Sequence, residues 1–324
     1  MPDFLEPRSH RWGVILAGGD GTRLLPLTRR ISGDDRPKQF CSLMDDSTLL
    51  QQTKERIAPL VNPERTLIVL TKAHEKFFNE NLEGIPAENC LVQPCNRDTA
   101  PAILYSLMRI QEQDRRAIVA FFPSDHHFAD QRAFVAHLDA AFAAVSARPD
   151  QVLLLGVVPD TPEPGYGWIE PGPVLSNQTP GPICRITQFW EKPSYAFALD
   201  LMGRGCLWNS FVMVAHVGTM LGMIRLMLPR LTNAFEGVRS SFLTWGEADA
   251  ISRLYNSIRP SNFSSEVLSS HPYDSVHPSF LTVMRGANLG WSDLGEPTRV
   301  ISAIERRGVQ SEDRFHWTAA AAVG

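Results

Sequence analysis

The chain has few cysteines and no surplus of positive charge. Five cysteines among 324 residues make an odd set without a CxxC pair, a usage that suits reduced thiols in a cytosol and excludes a disulfide framework. Cys90 and Cys95 stand five apart with no second metal-like cluster, so no zinc site is expected. A net charge of −4 excludes a broad nucleic-acid surface, which needs a basic excess. Any phosphate chemistry must therefore come from locally placed cations. Long apolar runs are missing too. The most apolar later stretch, "FVMVAHVGTMLGMIRLML" (211 to 228), is broken by His216 and Arg225, which excludes a membrane span. The opening "MPDFLEPRSHRW" is acidic, contains proline and lacks the apolar core of a secretory signal. The expectation is a cytoplasmic protein whose partners are small molecules.

What is present is an ordinary globular composition, 44% hydrophobic and 20% charged. "WGVILA", "TLIVLT" (66 to 71), "AIVAFFP" (117 to 123) and "QVLLLGVV" (151 to 158) read as buried strands. Between them, "STLLQQTKERIAPL", "TAPAILYSLMRIQEQ" and "QRAFVAHLDAAFAAVSA" carry helical spacing. Asp98 and Thr99 ahead of Pro101 make a helix start. This alternation predicts an α/β fold with a Rossmann-like mixed, mainly parallel central sheet flanked by helices. "PDTPEPGYGWIEPGPVLSNQTPGP" (159 to 182) is too rich in Pro and Gly for a helix or a central strand. It reads as a loop and hairpin above the sheet, part of a lid-like excursion over about 159–215. Helical texture returns in 216 to 256, and a Ser-rich connector precedes "SFLTVMRG". With no repeat and no long linker, one domain is expected over 1–310, followed by a frayed tail at 311–324.

Three glycines fall within four positions of "LAGGDGTRL", directly after the first strand. Without a Cβ, such a loop lets backbone N–H groups approach an anion. A P-loop would need GxxxxGK[ST], and no lysine follows until Lys38. The dinucleotide fingerprint GxGxxG fails at Leu24, and the next strand ends in Thr71 rather than an acidic residue. An isolated GGxG is an ordinary tight turn. Arg23 and the Lys38 of "RPKQF" (36 to 40) tip the reading toward a triphosphate, for which Arg supplies a fixed fork of donors and Lys a movable point charge.

With "LAGGDGTRLLPLT" and "PKQF", the sequence resembles the sugar-1-phosphate nucleotidyltransferases, and "PKQF" leans toward mannose-1-phosphate guanylyltransferases. The resemblance runs on in order through "QPCNRDTAPAI" (93 to 103), "FPSDHH" (122 to 127), "PGYGWIE" (164 to 170), "FWEKP" (189 to 193), "WNS" (208 to 210) and "GWSDLG" (290 to 295). It implies Mg²⁺-dependent transfer of a nucleotidyl group from an NTP to a sugar-1-phosphate. Arg23 and the loop of Leu16, Ala17, Gly18, Gly19, Gly21 and Thr22 would hold the triphosphate, and Lys38 and Lys192 would neutralise the reacting phosphates. Gln93, Asn96 and Thr99 would line the base pocket. Gly167, Glu191 and Asn209 would take the sugar, and Asp125 with Asp293 would carry the metal. Read alone, Asp125 is a helix cap and Asp293 a turn former; "EKP" alone is a surface ion pair, and "QPCNRDTA" a plain strand–loop–helix joint. His126 and His127 are not needed as bases, because a sugar phosphate with a second pKa of about 6 is already largely ionised.

Two positions depart from the family pattern: Phe211 stands where a glycine usually follows "WNS", and Ser264 where an aspartate is usual. With the sequence ending at 324, neither a fused isomerase domain nor a left-handed β-helix is expected. GTP and mannose-1-phosphate are the expected pair. The alternatives are another NTP with a glucose-type phosphate, or a non-catalytic nucleotide-sugar-binding regulatory subunit. A homodimer is compatible with either.

Overall fold

A computed structural model describes residues 9–177, 179–271 and 280–306; the tail expected at 311–324 lies outside them. Eleven strands are described: β1 Arg11–Leu16, β2 Thr66–Thr71, β3 Cys90–Gln93, β4 Ile118–Pro123, β5 His127–Phe128, β6 Val152–Val157, β7 Gly167–Ser176, β8 Ile183–Glu191, β9 Leu207–His216, β10 Leu281–Gly286 and β11 Trp291–Ser292. Nine form one sheet in the order β3-β2-β1-β4-β9-β6-β10-β8-β7. Only β8 and β9 run against the other seven, so the sheet is mixed and largely parallel.

Its central strands are apolar at nearly every position because both faces are covered. Val14, Leu67, Val69, Val119 and Phe121 point into one core with helices Thr99–Gln113 and Val217–Met227. Their neighbours Ile15, Ile68, Leu70, Ala120 and Phe122 point into the other, with helices Leu49–Ile57 and Gln131–Ala147. Local signals set the helix starts. Thr48 and Gln51 form a reciprocal capping box, and Asp98 and Asp130 accept the N–H groups of Thr99 and Ala133.

The Pro/Gly-rich excursion is not above the sheet but part of it. β7 and β8 form its far end, and β7 also pairs with β9 through Trp168–Trp208 and Ile169–Leu207. β9, inside the span assigned to the excursion, is a central strand between β4 and β6. The prolines are tolerated because Pro171 and Pro173 fall where the β7–β8 register shifts and β7 has no second neighbour. The Ser-rich connector holds a π-helical turn, Ser264–Leu268, with Val267 and Leu268 fully buried. Among the described residues, no helix is long and apolar enough to cross a membrane.

Gly156 sits in β6 between β9 and β10. A Cβ there would lie 2.6 Å from Val283 Cγ2 and 2.8 Å from Leu207 Cδ1, so the strands on both sides depend on its absence. Gly156→Ala should cost about 1–3 kcal/mol by overpacking, read as a lower urea midpoint with an unchanged slope.

Candidate functional site

The carboxyl ends of β1, β2, β3 and β4 lie along one edge of the sheet. The chain runs from β1 to β2 and β3 on one side, then returns to β4 on the other side of β1. A crevice opens at such a switch point, and here it is a cavity of ≈ 340 Å³.

At one wall is the glycine loop. Gly18 packs so closely that a Cβ would lie 2.8 Å from both Gln93 Nε2 and Thr71 Oγ1. Gly21 has φ 58°, a left-handed turn that glycine adopts freely. Gln39, inside "PKQF" but not among the residues expected at the site, pins the loop by donating from Nε2 to the carbonyls of Ala17 (3.0 Å) and Gly19 (2.8 Å). Leu16, Gly18, Gly19 and Arg23 line the cavity, and Gly21 and Thr22 line an adjoining one with Arg23, Lys38, Asp125 and Asp293. Ala17 lines neither; its side chain is fully buried in the core. Arg23 is largely exposed, its Nη1 3.9 Å from Glu296 Oε1.

The two aspartates, 168 positions apart, meet through the short antiparallel ladder of β5 and β11, which pairs Ser292 with His127 and Trp291 with Phe128. Lys38 closes this junction. Its buried ammonium donates to the carbonyls of Asp293 (2.7 Å) and Leu294 (3.2 Å) and lies 3.0 Å from Asp125 Oδ2. Three acceptors use all three of its N–H groups, so the expected grip on a reacting phosphate is replaced here by a staple within the protein. Asp293 is held as tightly. It takes Arg299 Nη1 at 2.7 and 2.9 Å on its two oxygens, and its Oδ1 also accepts from Gly295 N (2.8 Å) and the Tyr166 hydroxyl (3.2 Å). Burial pushes its carboxyl up, and His126, Arg299 and Lys38 more than reverse this, Arg299 being the partner that is always charged. Arg299, stacked 4.5 Å over the Tyr166 ring, is the main residue at this junction that the sequence did not reveal; a lone arginine on an amphipathic helix carries no sequence signal.

His126 behaves as a structural group. Its Nδ1 is 3.2 Å from the Ser210 carbonyl, and burial drives its pKa below the ordinary value against the pull of Asp125 and Asp293. Among the described residues no three His, Cys, Asp or Glu side chains converge as a metal group. A hard divalent cation would nevertheless suit two carboxylates beside a phosphate site, because Mg²⁺ usually takes one or two and fills its shell with phosphate oxygens and water. Asp125 fits this readily: among the described residues its charged partners are Lys38 at 3.0 Å and His126 at 3.9 Å. Asp293 would have to share its oxygens with Arg299.

Gln93, Asn96 and Thr99 reach the cavity, each already engaged. Gln93 Oε1 accepts the Tyr255 hydroxyl at 2.9 Å. Asn96 donates to Asp20 Oδ2 (2.9 Å) and accepts Asp98 N (2.8 Å). Thr99 Oγ1 accepts Phe263 N. At the opposite end, Gly167 makes room for its neighbours: a Cβ would lie 3.0 Å from Glu191 Oε2 and 3.4 Å from Asn209 Cβ. Lys192, largely exposed with φ 49°, has its ammonium 3.8 Å from Glu191 Oε1.

The comparisons agree with this architecture. A model of the family described as nucleotidyl transferase matches residues 12–307. The alginate biosynthesis protein AlgA of Pseudomonas aeruginosa is 36% identical over 200 residues, 61% of this chain and 40% of that protein. A mannose-1-phosphate guanylyltransferase of Escherichia coli is 29% identical over 298 residues, 89% of this chain and 58% of that one. The chain thus spans about half the length of these relatives. A solved Thermus thermophilus structure, named a mannose-1-phosphate geranyltransferase, matches with a TM-score of 0.76 and 31% identity, over 93% of this chain and 80% of that one.

Burial raises the Glu191 carboxyl from its ordinary 4.5, opposed by Lys192. For a raised carboxyl, the stability it contributes is full below pH 4.5 and is lost as pH rises through the folded value. Glu191→Gln removes that loss. Its Tm should exceed that of the native protein near neutral pH, with the gap closing below pH 4.5, in thermal melts across the range.

Proposed function

The chain belongs to the nucleotidyl transferase family, and on that premise we propose that it transfers a guanylyl group from GTP to mannose-1-phosphate, giving GDP-mannose and pyrophosphate. The observation that carries this is the sharing of one cavity by the glycine loop, Arg23, the Asp125–Asp293 pair and the Gly167–Glu191–Asn209 end. A phosphate oxygen of the sugar-1-phosphate attacks the α-phosphorus of the nucleotide. The new P–O bond forms as the bond to the β-phosphate bridge breaks, and pyrophosphate leaves with that electron pair. The nucleophile is already ionised, so the protein's task is positioning and charge neutralisation.

Arg23 and the loop N–H groups receive the triphosphate. Lys192, free to swing on an exposed stem, meets the sugar phosphate, while Glu191 and the Asn209 amide take sugar hydroxyls. Lys38 orients Asp125 and fixes the C-terminal turn. Mg²⁺ held by Asp125 and Asp293 would neutralise charge on the phosphates. A guanine edge would be read by Gln93 and Asn96, the latter exchanging Asp20 for the base; a site built on such hydrogen bonds discriminates strongly, because the wrong base leaves buried polar groups unpaired. One observation favours a regulatory subunit instead: Asp293 already accepts from Arg299 on both oxygens and from Tyr166 and Gly295 on Oδ1.

Pyrophosphate release measured for four NTPs against a panel of sugar-1-phosphates separates these readings. The expected outcome is turnover led by GTP with mannose-1-phosphate, abolished by EDTA and restored by Mg²⁺. Preference for UTP or dTTP would reject the guanylyl assignment, and no turnover with any pair would favour the regulatory subunit. Because Arg23 and Lys192 serve different substrates, Arg23→Ala should raise KM for the nucleotide about tenfold, the worth of one charged hydrogen bond, with little change for the sugar phosphate. Lys192→Ala should do the reverse; equal effects on both substrates would refute this division of the site.

A further inference from the structure

Phe211 lies in β9 with φ 61°, a left-handed backbone that is an outlier for a bulky side chain and a recurrent mark of functional positions. The sheet imposes it. Between the pairs Leu154–Met213 and Gly156–Asn209, β6 has one residue and β9 has three, and Phe211 is the middle one of this bulge. Two consequences reach the cavity. Its N–H donates to Asn209 Oδ1 at 3.0 Å, which leaves the amide NH₂ as the group Asn209 can offer a ligand. Its ring packs edge-on against Phe263, with centroids 6.2 Å apart, and lines the cavity beside Asn209 and Ser264. The two positions that depart from the family pattern thus share one wall.

We infer that Phe211 determines acceptor specificity: its ring receives a C–H-rich face of the sugar and rejects epimers that aim a hydroxyl at it. The inference rests on the nucleotidyl-transfer reading above. A hydroxyl pressed against the ring would lose water and gain no partner, whereas a glycine at this φ would keep the Asn209 contact and leave the wall open.

Two variants tolerate the left-handed backbone, Phe211→Gly and Phe211→Asn. The measurement is the ratio of kcat/KM between the best sugar-1-phosphate and its epimers, with folding checked by thermal melts. Both variants should lower that ratio at least about tenfold, equivalent to about 1.4 kcal/mol, while KM for the nucleotide stays within about threefold. Asparagine offers the rejected hydroxyl a partner, so it should lower the ratio at least as far as glycine. An unchanged ratio in both variants, beside an active native protein, overturns the inference. A loss confined to glycine also overturns it, since loosened backbone and not the missing ring would be responsible. A native protein without turnover on any pair instead refutes the nucleotidyl-transfer reading on which the inference stands.

Discussion

The buried ammonium of Lys38 is the contact on which the site depends. It comes from the "PKQF" turn after the glycine loop, and its acceptors belong to the end of β4 and to the turn after β11. An ammonium taken out of water must find acceptors for its three hydrogens. These acceptors tie separate stretches of chain to one point. The apolar contacts beneath cooperate: Leu24, Leu27 and Leu49 pack with Leu294, Val300 and Ile304, joining the segment after the glycine loop to the helix Pro297–Arg306. Asp125 and Asp293 become neighbours as a consequence.

Around that point the site is assembled from strand ends and close approaches. Gly18 and Gly167 matter for what they lack: Gly18 gives way to the polar side chains of Thr71 and Gln93, and Gly167 to the Phe189 ring and the Glu191 carboxylate. The polar groups are held by partners before any ligand arrives: Gln39 on the loop carbonyls, Tyr255 on Gln93, Asp20 on Asn96, and Arg299 with Tyr166 on Asp293. Such preorganisation fixes geometry in advance. Under the function proposed above, Asn96 and Asp293 would have to exchange one partner for another to meet a substrate or cation.

Much of this was legible in the linear sequence where the signal is local. β2 and the helices Thr99–Gln113 and Gln131–Ala147 fall on the residues that periodicity and capping marked, because a strand buried on both faces and an amphipathic helix each leave a repeating apolar pattern. The failures lie where composition misled. Proline and glycine in 159 to 182 argued against sheet membership, yet β7 takes them because part of its outer edge has no partner to lose. β9 went unread as a strand because a bulge at Phe211 breaks its period.

The sequence by itself determined the α/β class, the glycine loop and the identities of the candidate groups, since each rests on a few adjacent residues. Tertiary structure alone decided how those groups are used. Lys38 became a staple and not a free cation because its acceptors lie more than 80 and 250 positions away. Arg299 became the partner of Asp293 because a helix starting at Pro297 turns its side chain back onto the "GWSDLG" turn. Phe211 acquired its strained backbone from a register shift that only the pairing of β6 with β9 creates. Contacts of this kind depend on which strands become neighbours, and no local pattern of residues encodes that.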